Sequence, residues 1–328
     1  MTLEKPHVKH CSEAYSNKPP INYVIDGMIE EGTSTVFYGD GGAGKTYVAL
    51  TMGICISAGL PFMDFSTTQH TVLYVDEEMG ERMLERRIRY VCDGLGVKPE
   101  KMNLFYIAMP GYNFSQPGDV LEFKKVIQSV GAKFVIVDAL SDVMTGDENS
   151  KKDVQIVFNN LKQIRIDGVN LFILHHSVKD NSNYRGSTAI KSNVDNLINF
   201  DSSSNTDAFT VKFDKTRDGK LEPISGIKIW DEGKFTIELR DRYNPTETFV
   251  LRLLEKKGEQ TRKEIYAAGK KESISEGSLK NAISSLSNIG KIYRTNPDTN
   301  TRVEAIYALK RPLDYIQEIC DNPPEVDK

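Results

Sequence analysis

Eight residues constrain this chain more than any others: Gly39-Asp40-Gly41-Gly42-Ala43-Gly44-Lys45-Thr46 follows the β-type run Thr35-Val36-Phe37-Tyr38 and precedes a long apolar stretch. A glycine-rich turn that converts a buried strand directly into a buried helix belongs to sheets covered by helices. The chain repeats that alternation. Runs rich in β-branched and aromatic residues at 34–38, 71–76, 103–107, 133–138 and 170–175 alternate with helical patterns near 44–59, 80–94, 118–130 and 152–166. This predicts an α/β core with a mainly parallel sheet. Val135-Ile136-Val137 is apolar throughout, as a strand covered on both faces must be. Further runs at 196–200, 209–214, 227–230 and 235–239 are separated by turn-rich segments such as Arg217-Asp218-Gly219 and Asp231-Glu232-Gly233. They predict antiparallel strands extending one edge of the same sheet.

Asn244-Pro245 breaks this pattern. Residues 246–311 then read as three short helices and a hairpin, the order of a winged helix, with Leu279, Ile283, Leu286 and Ile289 at helical spacing in the third. The expected organisation is a flexible arm over residues 1–20, a core domain over 21–243, the small winged-helix domain over 246–311 and an acidic tail over 312–328. Charge divides accordingly: residues 241–311 carry 14 Lys+Arg against 9 Asp+Glu, a net +5, whereas the tail carries 1 against 5, a net -4. The cysteines Cys11, Cys55, Cys92 and Cys320 lack the paired spacing of a zinc site or disulfide framework. The opening residues show no basic-then-apolar leader, and the most apolar stretch, 47–63, is interrupted by Gly53, Gly59 and Pro61. A cytoplasmic chain without a membrane span is expected.

The glycine-rich segment also has a chemistry. Backbone N–H groups of such a loop close around a β-phosphate, the lysine meets the β and γ oxygens, and the hydroxyl holds Mg²⁺. Gly39, Asp40, Gly41, Gly42, Ala43 and Gly44 form the cradle here, with Lys45 and Thr46 in the last two roles. ATP and Mg²⁺ are therefore the expected cofactors. Magnesium also needs a carboxylate, and Asp138 ends the apolar strand Phe134-Val135-Ile136-Val137 at the edge where ligands bind. Ala139 follows it, so the acid that activates water comes from elsewhere. Glu77 and Glu78 end the run 71–76, expected beside the strand that precedes the loop, and either suits a general base.

Together with Leu174-His175-His176-Ser177, Arg185-Gly186-Ser187 and Lys215-Thr216-Arg217-Asp218-Gly219, these segments resemble the RecA-like ATPases, in their hexameric-helicase branch of the DnaB and plasmid RepA kind, over about residues 20–240. That resemblance implies Glu78 rather than Glu77 as the catalytic glutamate, because the family glutamate is commonly followed by Met, here Met79. It implies a γ-phosphate sensor at His176, where many relatives carry glutamine, and a Lys215/Arg217 pair inserted into a neighbouring subunit's site. It also implies channel loops at about 141–152 and 177–188, the second with Lys179, Tyr184 and Arg185 to meet phosphates and stack a base of single-stranded DNA. In the winged helix, Lys280, Lys291 and Arg294 suit a phosphate backbone, while the Ser- and Asn-rich outer face of its third helix suits subunit docking equally well.

The expected activity is that of an ATP-hydrolysing, hexameric DNA helicase or translocase in replication of a prokaryotic replicon. The alternative is an ATP-switched DNA-binding regulator or recombination mediator that unwinds nothing. A small-molecule kinase fits poorly, since no arginine-rich lid segment is evident.

Overall fold

The computed structural model describes residues 10–13, 21–165, 167–176, 189–202, 205–217, 221–240, 244–288, 291–296 and 305–309. The short pair β1 (Tyr23–Ile25) and β2 (Ile29–Glu30) leads into β3 (Ser34–Gly39), the phosphate-loop helix α1 (Lys45–Ala58) and β4 (Val72–Asp76). Then follow α2 (Glu81–Leu95), β5 (Leu104–Ala108), α3 (Pro117–Val130), β6 (Phe134–Asp138), α4 (Lys151–Arg165) and β7 (Asn170–His176). The short helix α5 (Ala189–Asn193) leads to β8 (Asn196–Asp201), β9 (Ala208–Lys215), β10 (Ile224–Asp231) and β11 (Lys234–Arg240).

Nine strands form one sheet in the order β11-β10-β9-β8-β3-β7-β6-β4-β5. The six strands from β8 to β5 in that order run parallel, and β9, β10 and β11 add an antiparallel meander at one edge. Parallel strands need crossovers, and the crossover helices cover both faces. Alternate side chains of β6 accordingly enter two different cores. Phe134 and Ile136 pack with α1, whereas Val135 and Val137 pack with α3 and α4. All four are fully buried, and each such side chain contributes about 1.5–3 kcal/mol. The meander closes over α2 so tightly that a Cβ on Gly94 would lie 2.0 Å from the Phe235 carbonyl oxygen.

The expected adjacency of β4 and β3 is not met, since β7 and β6 lie between them. Pairing of consecutive strands is only a tendency, and here α1 carries the chain past two positions that later strands fill.

A second set of elements follows: α6 (Pro245–Lys257), β12 (Gln260–Thr261), α7 (Arg262–Lys271), α8 (Glu276–Asn288), β13 (Ile292–Arg294) and β14 (Ile306–Leu309). Asn244 and Thr261 cap α6 and α7 through capping boxes with Glu247 and Glu264, satisfying first-turn N–H groups. The strands pair in the order β12-β14-β13. Val250, Leu254, Ile265, Leu279, Ile283, Leu286 and Ile292 form a core of their own. Lys291 forms an ion pair with Asp64, which follows α1. Residue Ile289 lies outside the described residues, as do most of the expected arm and all of the acidic tail. Among the described residues, no helix is long and apolar enough to cross a membrane.

Candidate nucleotide site

β3 ends at Gly39, and the loop turns through Gly44, whose φ of 98° is left-handed and favours glycine, into the first turn of α1. The N-terminal amides of α1 therefore face the loop interior, where the helix dipole favours an anion. Lys45 is almost fully buried, and its Nζ donates to the carbonyls of Gly39 and Asp40 at 2.8 Å each. Burial lowers its pKa, against the charges of Asp138, Glu78 and Asp40. Thr46 Oγ1 donates to Asp138 Oδ2 at 2.8 Å, and Tyr74 OH donates to the same oxygen at 2.8 Å. A hydroxyl and a carboxylate side by side are the hard oxygen donors that Mg²⁺ takes, with water and phosphate oxygens completing its shell.

Burial is also the main reason that Asp138 has its pKa raised to about 6, outweighing the bonds from Thr46 and Tyr74 that favour the ionised form. The folded chain then holds this proton more tightly than the unfolded chain does. The group favours folding at low pH, and that contribution is lost as pH rises from the ordinary carboxylate value near 3.8 through about 6. Asp138→Asn is therefore expected to gain about 1 kcal/mol relative to the parent chain between roughly pH 5 and pH 7 in metal-free buffer. Urea unfolding of both proteins at the two pH values checks this; a constant difference would contradict it.

The two candidate glutamates part company. The carboxylate of Asp76 accepts from the N–H groups of Glu78, Met79 and Gly80 and shapes the turn after β4. Glu77 accepts from the amides of Gly111 and Tyr112 at 3.1 and 2.8 Å, so it is engaged in holding that loop. Glu78 instead faces the phosphate loop. With Lys45, Thr46, Asp138 and His176 it lines one cavity of about 340 Å³. His176 sits at the end of β7 opposite Gly39, and burial, together with the charge of Lys45, lowers its pKa.

Lys228, Trp230, Tyr47 and Arg87 also line the cavity and were not anticipated. Lys228 of β10 is nearly fully buried, and its Nζ donates to the Ala43 carbonyl at 2.9 Å and to Ser202 Oγ at 3.0 Å. Two residues on, Trp230 packs edge-on against Tyr47 at 4.6 Å, and the Arg87 guanidinium lies 5.0 Å from the Tyr47 ring centre. Trp230 keeps 48% of its surface exposed at the cavity mouth. A lysine among isoleucines in an alternating strand carries no local signal of this role.

Lys215 and Arg217 lie away from this cavity. Lys215 Nζ donates to the carbonyls of Lys191 and Val194. Arg217 Nε donates to Asp195 Oδ1 at 2.6 Å while its side chain stays 61% exposed. Asp195 is itself buried and braced by Ser34 and Arg165. Burial would raise the Asp195 pKa, but the bonds from Ser34, the Arg165 charge and the Arg217 bond together lower it. Of the proposed nucleic-acid contacts, Lys179, Tyr184 and Arg185 fall outside the described residues. Lys280 and Arg294 are exposed, but Lys291 is half-buried and its charge is taken by Asp64, so it is not free for a phosphate.

Residues 5–182 match a family model described as AAA domain. Among solved structures, the chain is similar to the ATPase domain of another protein, with TM-score 0.52 and 15% identity, covering 70% of this chain and 96% of that one. It is also similar to a KaiC-like protein, PH0186, from Pyrococcus horikoshii OT3, with TM-score 0.51 and 15% identity, covering 67% and 100%. At such identities the likeness shows a fold, the RecA-like one. No curated protein matches the sequence.

Proposed function

The chain belongs to the AAA domain family, and on that footing we propose that it is an ATP-hydrolysing motor that assembles head to tail into a ring. The observation that carries the reading is the convergence of Lys45, Thr46, Asp138, Glu78 and His176 on one cavity. Lys45 and the loop amides bind the phosphates, Thr46 and Asp138 hold Mg²⁺, Glu78 takes the proton of the attacking water, and His176 senses the γ-phosphate. Assembly is supported by what lies in the two halves of the sheet. The β5 edge exposes Phe105, Tyr106 and Met109, while the exposed Arg217 follows β9 in the opposite half of the sheet. Different patches on opposite sides suit a heterologous, ring-closing contact. With the small C-terminal unit read as a winged helix, the ring is a hexameric helicase or translocase on single-stranded DNA in a prokaryotic replicon.

Trp230, the sole tryptophan, supplies the test. Its exposed face beside Tyr47 and Arg87 suits the nucleobase end of the site. Mg²⁺·ATP should quench its fluorescence, inorganic tripolyphosphate should compete without quenching, and ATP turnover should rise with single-stranded DNA. Absence of any nucleotide binding would overturn the reading. Slow turnover indifferent to DNA would favour an ATP-switched regulator.

A further inference from the structure

The C-terminal unit carries a groove that the nucleotide reading does not use. It runs between α6 and α7, with Phe249, Leu253 and Ala268 on its floor, and its charged lining sets Arg252, Lys256, Lys257 and Lys271 against Glu264 and Glu272, leaving the rim net cationic. Among the described residues none of Arg252, Lys256 and Lys271 is ion-paired. A half-buried apolar floor with a cationic rim suits an acidic, amphipathic segment.

Such a segment begins where the groove ends. Tyr307 of β14 pairs with Gln260 of β12, and the strands are antiparallel, so Leu309 leaves the sheet alongside Gly258. Lys256, Lys257 and Gln260, on either side of Gly258, all line the groove. The chain that follows has Leu313, Ile316 and Ile319 at helical spacing, with Asp314, Glu318 and Asp321 between and after them. Residues 312–328 carry 1 Lys+Arg and 5 Asp+Glu, a net -4, of the sign complementary to the rim.

We propose that the acidic segment beginning at residue 312 docks on the α6/α7 groove of its own chain, with Leu313, Ile316 and Ile319 on the apolar floor and its carboxylates against Arg252, Lys256 and Lys271. The short connection makes this contact intramolecular, which raises the effective concentration of the segment to the millimolar range, on the order of that for short linkers. It also occupies the unit's cationic groove with a competitor for other anionic partners.

Hydrogen exchange on the full chain tests this. Amides of 312–321 should exchange at least roughly tenfold more slowly than in a free peptide of the same sequence, independent of protein concentration. The variant Ile316→Asp with Ile319→Asp leaves every groove residue unchanged and should abolish that protection. Arg252→Glu with Lys256→Glu and Lys271→Glu should do the same, while amides of Val250 and Leu254 report that the unit remains folded. Exchange of 312–321 at the free-peptide rate would overturn the proposal, as would protection that survives the charge reversal. Protection that vanishes on dilution would assign the groove to a second copy's segment and would equally overturn it.

Discussion

Glu78→Gln is expected to lower ATP turnover by roughly 10²–10⁴-fold, the usual contribution of a positioned general base, while Mg²⁺·ATP binding read from Trp230 fluorescence survives. The amide is nearly isosteric with the carboxylate, so the cavity of Lys45, Thr46 and Asp138 keeps its shape. What disappears is the capacity to accept a proton from water. Glu77→Gln provides the contrast. Glu77 holds the amides of Gly111 and Tyr112, and its substitution should cost stability of that loop with turnover reduced far less. Single-turnover hydrolysis by the two variants, measured at saturating nucleotide, separates the roles. Equal losses in both, or a Glu78→Gln enzyme that turns over near the parent rate, would remove Glu78 from the chemistry.

Arg217→Ala should be the other large effect, a loss of roughly 10³–10⁵ in turnover, the range of a cation supplied to a phosphoryl-transfer transition state by a neighbouring subunit. The side chain does not reach its own cavity. Its Nε is held by buried Asp195, while the rest of the guanidinium stays accessible to a partner. That clamp restricts the rotamer freedom of a long side chain before any partner arrives, and less ordering entropy is then lost on docking. Action in trans has a distinctive signature. Mixing Arg217→Ala with Lys45→Ala, each inactive alone, should restore hydrolysis, because one subunit contributes an intact phosphate loop and its neighbour an intact arginine. Absence of complementation in a verified mixed oligomer would show that Arg217 serves only its ion pair with Asp195.

Much of this molecule was legible along the chain, because its informative features are local or periodic. A contiguous glycine-rich loop specifies its own backbone path, and Gly39 to Thr46 needed no distant partner to be recognised. Runs apolar at every position, such as Phe134 to Val137, fit strands covered on both faces, which placed Asp138 at the ligand-binding edge. The antiparallel strands β9 to β11 followed from alternation and turn residues, whereas β8, expected among them, pairs parallel with β3.

Tertiary structure decided whatever depended on which side chain another element approaches. Met79 favours Glu78 over Glu77 only by resemblance; the physical difference is that Glu77 is engaged by the amides of Gly111 and Tyr112. Lys291 has the composition of a phosphate contact until Asp64, more than two hundred residues earlier in the chain, takes its charge. Lys228 and Trp230 look like ordinary residues of an antiparallel strand and enter the site only because β10 folds back against Ala43 and Tyr47. Periodicity reports the face on which a residue lies; packing alone determines what that face meets, because burial is a property of pairs of elements distant in sequence.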